Sequence, residues 1–366
     1  MRSLLLVLLM AGCSGAQRRP DRIAHAPVSA VSEVVEGSSA CALSPGETRW
    51  IQTSLDSWEM VNVELLDLSP SSLPWIVLFS ESCAWHLSSE YSKIPDSRAG
   101  NLALTFAGND VQVRVQPHQG TVWLPSGSAV PAQEMASASL YESKSRRTEP
   151  FLVLALPEVW LGNRKELDDS EFRPELLGIF SHEMVHTLQL VEVAKRVEAL
   201  EKRFTLPESI SDDIIEERFK EVPGFRQAHE AETNLLYRAT SESEPTSKLA
   251  LVAEALKIAL NRQAKYFTGA DAVYRELEGL FLNMEGVAVW AAFELSRSDP
   301  GSDIGATDPA ATRARNTWSQ DEGLALFLLI DDLVPEWKQR VLGPELASPF
   351  KLLSEAVGTG GERGSR

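Results

Sequence analysis

The chain has 366 residues, 43% of them apolar, which is ample for a folded core and excludes wholesale disorder. Its 52 acidic residues against 35 basic ones leave a formal charge of −17, so nucleic acid and anionic lipid headgroups are excluded as principal partners. The length fits one large domain or two closely packed ones.

Met1-Arg2-Ser3 is a short basic start, and Leu4 to Met10 is an apolar run too short to span a bilayer. Small residues then precede Cys13, so residues 1–12 read as a secretory signal peptide. The ending Met10-Ala11-Gly12-Cys13 resembles a bacterial lipobox. That resemblance implies lipidation of Cys13, a membrane anchor through that lipid, and a place in the cell envelope. Ser14 would favour the outer membrane where the cell has one; an ordinary signal peptide cut nearby is the alternative. Cys41 and Cys83 then form an even pair in an exported chain, expected as a disulfide rather than as two separate buried thiols.

Residues 13–43 are rich in Ser, Ala, Pro and charge and read as a tether. A helix-plus-sheet subdomain is expected over 44–170. Ser44-Pro45-Gly46-Glu47 has the form of a capping box, followed by Trp50, Ile51, Leu55, Trp58, Val61 and Leu65 at helical spacing. Short β-like runs follow at 75–79, 102–106, 111–115, 121–124 and 151–156. Gly108-Asn109-Asp110 is expected as a hairpin turn, and 125–150 as a long loop.

After Pro157 the pattern turns helical, with helices expected over 174–203, 208–219, 226–240, 246–267, 270–297, 319–332 and 335–342. Pro174 and Pro335 are expected at first helical positions, and 299–309 as an irregular crossing. A helical subdomain over 171–357 and a tail over 358–366 complete an α+β chain.

Within this half stands His182-Glu183-Met184-Val185-His186. Two histidines four apart share one face of a helix and can hold one ion together, with the intervening glutamate within reach of a metal-bound water. The flanking segments are mostly apolar, so the pentad is expected to be buried. There, two imidazoles and a carboxylate are costly without a partner such as zinc.

Catalytic zinc commonly takes three protein ligands. No histidine falls between His186 and His229, which rules out a metzincin-type third ligand. The strongest candidate is Glu285, in the apolar run Leu280 to Phe293, with Gly286 allowing the active helix to approach. The alternative for Glu285 is pairing with Arg262 or Arg275. Glu278, Glu232 and His229 are reserve ligands or groups that orient His182 and His186. Tyr237, Tyr266, Tyr274 and His229 are candidates for an oxyanion donor. His86 is read as packing or surface, His118 as an exposed turn and His25 as tether. Trp318 to Asp332 is expected to pack behind the Glu285 helix.

His182-Glu183-x-x-His186 with the distant Glu285-Gly286-x-Ala288 resembles a gluzincin-type zinc metallopeptidase with a zincin-like fold, in a branch of bacterial lipoproteins. The resemblance covers roughly residues 46–342. It implies one zinc held by His182, His186 and Glu285, with Glu183 as the base that activates water for hydrolysis of a peptide or protein substrate. It also implies an N-terminal helix, a small mixed sheet whose edge strand is 151–156, the active helix and a mainly helical C-terminal half. The separation of 285 − 186 = 99 residues, and the lack of an Asn-Glu-x-x-x-Asp segment, set the chain apart from thermolysin-like members. Two other readings stay open: an inactive zinc-binding envelope scaffold, and an amide hydrolase acting on peptidoglycan peptides.

Overall fold

Ser44 opens the first helix by a reciprocal cap. Its Oγ accepts from the Glu47 amide at 3.1 Å, and the Glu47 carboxylate accepts from the Ser44 amide at 2.6 Å. The computed structural model describes residues 41–69, 73–88, 94, 97–143, 145–163, 169–298 and 317–363. The expected signal peptide, Cys13, His25, nearly all of the tether and the crossing at 299–309 lie outside these residues. Helix α1 (Pro45–Met60) buries Trp50, Ile51, Leu55 and Trp58, the predicted apolar face. A single wide turn over Val61–Leu65 ends it, closed by the Leu66 amide donating to Val61 O at 2.9 Å.

Among the described residues ten strands follow: β1 Trp75–Phe79, β2 Cys83–Leu87, β3 Arg98–Ala99, β4 Leu104–Phe106, β5 Asn109–Val111, β6 Val113–Pro117, β7 Thr121–Trp123, β8 Ala129–Pro131, β9 Ala136–Glu142 and β10 Thr148–Ala155. Six form a mixed sheet in the order β3-β6-β2-β1-β10-β9; β4 with β5 and β7 with β8 make separate pairs. Within the sheet β1 and β10 run parallel, and the other neighbours are antiparallel. Trp75 to Phe79 are buried without a break, as suits a strand covered on both faces. Cys41 and Cys83 are disulfide-bonded, fastening the start of the described chain to β2.

Three expectations for this half are corrected. The stretch 125–150 is not a long loop but contains β8 and β9. The small residues Ala136-Ser137-Ala138-Ser139 give β9 little apolar alternation, so its sequence signal is weak. The run 151–156 is not the sheet edge, because β10 lies between β1 and β9; the edge strand is β9. The hairpin turn falls at Ala107-Gly108, where both residues have positive φ (49° and 74°), one position before the expected turn.

The helical half comprises α2 Pro157–Asn163, α3 Asp169–Glu201, α4 Ile214–Phe219, α5 Pro223–Thr240, α6 Pro245–Tyr266, α7 Tyr274–Ser298, α8 Trp318–Leu333, α9 Trp337–Leu342 and α10 Pro349–Arg363. The architecture is thus α+β, with a small mixed sheet ahead of a mainly helical half. Helix α3 begins five residues before Pro174, so that proline lies inside its early turns rather than at its first position. Residues 208–213 precede α4 instead of belonging to it. Helix α10 continues to Arg363, into the stretch expected as tail.

Around the pentad α3 is buried on nearly every side: from Phe180 to Leu190 only Leu188 is more than marginally exposed. Met184 and Val185 face the main core shared with α1 and the sheet. Leu190 and Val193 join Met284 and Phe281 of α7 in a second apolar cluster. Among the described residues no helix is long and apolar enough to cross a membrane.

Candidate metal centre

The α3 helix places His182 and His186 one turn apart, and their Nε2 atoms stand 3.0 Å from one another. Glu285, from the middle of α7, reaches both: Oε2 lies 3.3 Å from His182 Nε2, and Oε1 lies 3.3 Å from His186 Nε2. One donor atom from each residue falls within 4.8 Å of the others, and all three residues are buried. The sequence-predicted ligand set is therefore brought together by two helices far apart in the chain.

These distances fit one small cation. Four ligand atoms about 2.0–2.1 Å from zinc in a tetrahedron lie about 3.3 Å from each other. Glu285 Oε1 accepts no hydrogen bond although it is buried, which leaves a coordination-capable oxygen facing the imidazoles.

The hydrogen bonds behind the triad orient its lone pairs. Gln189, one turn after His186, donates through Nε2 to Asn283 Oδ1 at 3.4 Å. Its Oε1 is then the atom that meets His186 Nδ1, at 3.1 Å. Nδ1 must carry the proton of that bond, leaving the Nε2 lone pair directed at the triad. Asn283 is itself fixed by donating to Ala347 O at 2.9 Å. On the other side Gln320 of α8 donates to Glu285 Oε2 at 3.1 Å.

The electrostatics agree with a site built for positive charge. Burial opposes the ionisation of Glu285, but His186 and His182 override it and hold the carboxyl well below its usual range. Burial likewise pulls His186 down, yet Glu285 and Glu183 lift the imidazole to about 9. The same negative surroundings that favour positive charge on His186 favour a metal cation beside it.

Glu183 is 1% exposed, and its Oε2 accepts from the Ala138 amide of edge strand β9 at 2.9 Å. Burial raises its pKa, against the lowering influence of the two imidazoles. A carboxylate so placed can take and return a proton beside the triad.

The reserve ligands lie in a separate cluster. Arg262 of α6 forms a two-pronged pair with Glu232 of α5, each contact at 2.8 Å, and also binds Glu278 of α7. Glu322 of α8 lies 3.9 Å from the same guanidinium and 3.0 Å from His229 Nε2. Glu278, Glu232 and His229 therefore neither complete the triad nor orient its histidines; Gln189 orients His186, and Gln320 holds Glu285. The alternative partners for Glu285 are likewise corrected, since Arg262 binds other glutamates and Arg275 donates to Gln263 O at 3.4 Å. Burial, followed by the Arg262 charge, pulls His229 down to about 4; it stacks on Trp318 as a neutral ring.

The other candidates have structural partners. Tyr237 donates to Asp321, Tyr266 packs edge-on against Phe225, and Tyr274 against Phe219. His86 is buried within β2, where Trp75 Nε1 donates to its Nδ1 at 3.3 Å. His118 follows β6 in a turn, partly buried, and its Nδ1 accepts from the Gly120 amide.

Gly286 works differently from its expected role. A Cβ there would stand 2.5 Å from Phe327 Cδ2 and 3.0 Å from Gly323 Cα, so it admits α8, not α3. That crossing brings Gln320 to Glu285. The segment from Trp318 does pack behind the Glu285 helix, as expected, but it also contributes a residue to the centre.

Comparison with protein-family models, curated proteins and solved structures gives no match for this chain.

Proposed function

We propose that the protein is a zinc-dependent metallopeptidase of gluzincin type with a zincin-like fold, in which His182, His186 and Glu285 hold one zinc and Glu183 is the catalytic base. The observation that carries this reading is the convergence of two Nε2 atoms 3.0 Å apart with the two Glu285 oxygens, each 3.3 Å from one of them, next to a buried glutamate one residue along the same helix. A zinc held by these residues would supply an acidified water and a Lewis acid for a carbonyl. Glu183 would be the group that takes up a proton there and returns it to the leaving amine. The Ala138 amide keeps the Glu183 carboxylate on the side of β9, beside the sheet edge where an extended peptide can add as a strand.

The site is carried outside the cytoplasm by a lipid on Cys13, and the bonded Cys41–Cys83 pair supports an oxidising compartment. The substrate is a peptide or protein of that compartment, peptidoglycan stem peptides included.

The test is metal analysis of the purified chain together with a cleavage screen on denatured proteins and peptide libraries. We expect about one zinc per chain and cleavage that a chelator abolishes. Glu183→Gln should keep the zinc and lose turnover by about a hundredfold or more. Full activity in that variant would end the mechanism. Zinc at full occupancy with no cleavage of any substrate would favour a binding scaffold instead.

A further inference from the structure

We propose that Asp212 is a further residue of this metal site, a positioning carboxylate that strengthens cation binding by His182, His186 and Glu285. The proposal rests on the reading of that triad as a metal centre.

Asp212 belongs to the irregular segment that returns the chain from the end of α3 to the start of α4. It is 3% exposed, and its Oδ1 accepts no hydrogen bond. Among the described residues no ion pair to it is found. A buried carboxyl group with one oxygen left unbonded is costly, and folded proteins rarely keep one without a partner.

Its surroundings point to where that counter-charge would come from. Asp212 lines a small cavity with Leu282, one turn before Glu285 on α7, and with Ser319, adjacent to the Gln320 that donates to Glu285. It thus stands against both elements that fix the Glu285 carboxylate, and the charges of Glu285 and His186 act on it directly. Arg262, the fully buried cation nearby, is already engaged by Glu232 and Glu278. Burial, and after it the Glu285 charge, raise the Asp212 carboxyl to about 8, so its ionisation calls for a cation nearby. With a divalent cation present, both are attracted to the same charge across a water-poor interior, where such attraction is strong. Groups in this position commonly change metal affinity about 10–100-fold.

The experiment measures zinc affinity of the purified full chain by competition with a chromophoric chelator, alongside unfolding of the metal-free protein. Asp212→Asn should weaken zinc binding about tenfold or more, while leaving the metal-free protein about as stable, because the amide replaces a carboxyl that burial already holds largely protonated. Asp212→Glu should restore most of the affinity, and exposed Glu208→Gln on the same segment should match the wild type. The proposal is overturned if Asp212→Asn binds zinc as the wild type does, or if Asp212→Glu is as weak as Asp212→Asn. A wild-type chain with no zinc affinity gives a different result, sinking the metal-centre reading itself and this proposal with it.

Discussion

Gly286 and Gly323 cross with their backbones in contact: a Cβ built on Gly323 would lie 2.7 Å from the Gly286 Cα. The neighbours of this crossing belong to the candidate metal centre, since Glu285 is adjacent on α7 and Gln320 is one turn earlier on α8. The close approach of α7 and α8 is therefore what supports the Gln320–Glu285 hydrogen bond.

Gly323→Ala should force α7 and α8 apart, destabilising the protein by about 1–3 kcal/mol and weakening zinc binding in parallel. Chemical unfolding and zinc competition measure both. Unchanged stability would show that the helices shift at no cost.

Gln320→Ala removes the donor to Glu285 Oε2 without touching a proposed ligand. Zinc affinity should fall about 10–100-fold, with the fold preserved by circular dichroism. An unaltered affinity would mean that Glu285 is held by packing alone.

Zinc itself should act as a stabiliser. At a free concentration about a hundred times its Kd, it should add about 2.7 kcal/mol to unfolding, and a chelator should remove that increment. Glu285→Ala should respond to neither treatment. A wild-type melting curve insensitive to both would contradict a metal linked to the folded state.

Arg262→Met breaks the buried network of α5, α6 and α7, stranding Glu232 and Glu278 without their cation. The loss should be about 3–5 kcal/mol at neutral pH. Burial already pushes Glu232 up to about 8, and losing Arg262 removes the charge that lowers it, so the loss should deepen as the pH rises above about 8. A deficit independent of pH would point to lost packing in place of lost charge.

His86 gives a titration with the opposite sign. Burial pulls its imidazole down to about 4, against an ordinary value near 6.5. Between those values the unfolded chain holds a proton that the folded chain lacks, so the His86 contribution to stability falls as pH drops through that window. The stability gap between wild type and His86→Gln should therefore shift by about 2 kcal/mol in favour of the variant from about pH 7 to about pH 5. Urea unfolding at the two pH values checks it, and a constant gap would mean that His86 ionises in the folded state.

The site was legible in the sequence because its chemistry is costly to bury. His182, Glu183 and His186 share a known spacing inside an apolar helix, and Glu285 interrupts an apolar run with a carboxylate. Cys41 and Cys83 could be paired for the same kind of reason, as the two cysteines remaining beyond Cys13. What the sequence hid was long-range. Gln189 stands one turn after His186, a signal that was available, but Gln320 and Asp212 depend on which helices cross. The glycine at 286 was read for its small size, yet the partner it admits is α8. Strand β9 was missed because Ala and Ser at alternate positions carry no hydrophobic period, though this strand supplies the amide that holds Glu183.

That amide has a consequence for anything that would lie along β9. One main-chain N–H makes one full-strength hydrogen bond, and at Ala138 it is already directed at the Glu183 oxygen. An incoming polypeptide must therefore find its own pairing elsewhere on the strand, or evict the carboxylate and so arm it. Docking and activation of the base would then be a single event.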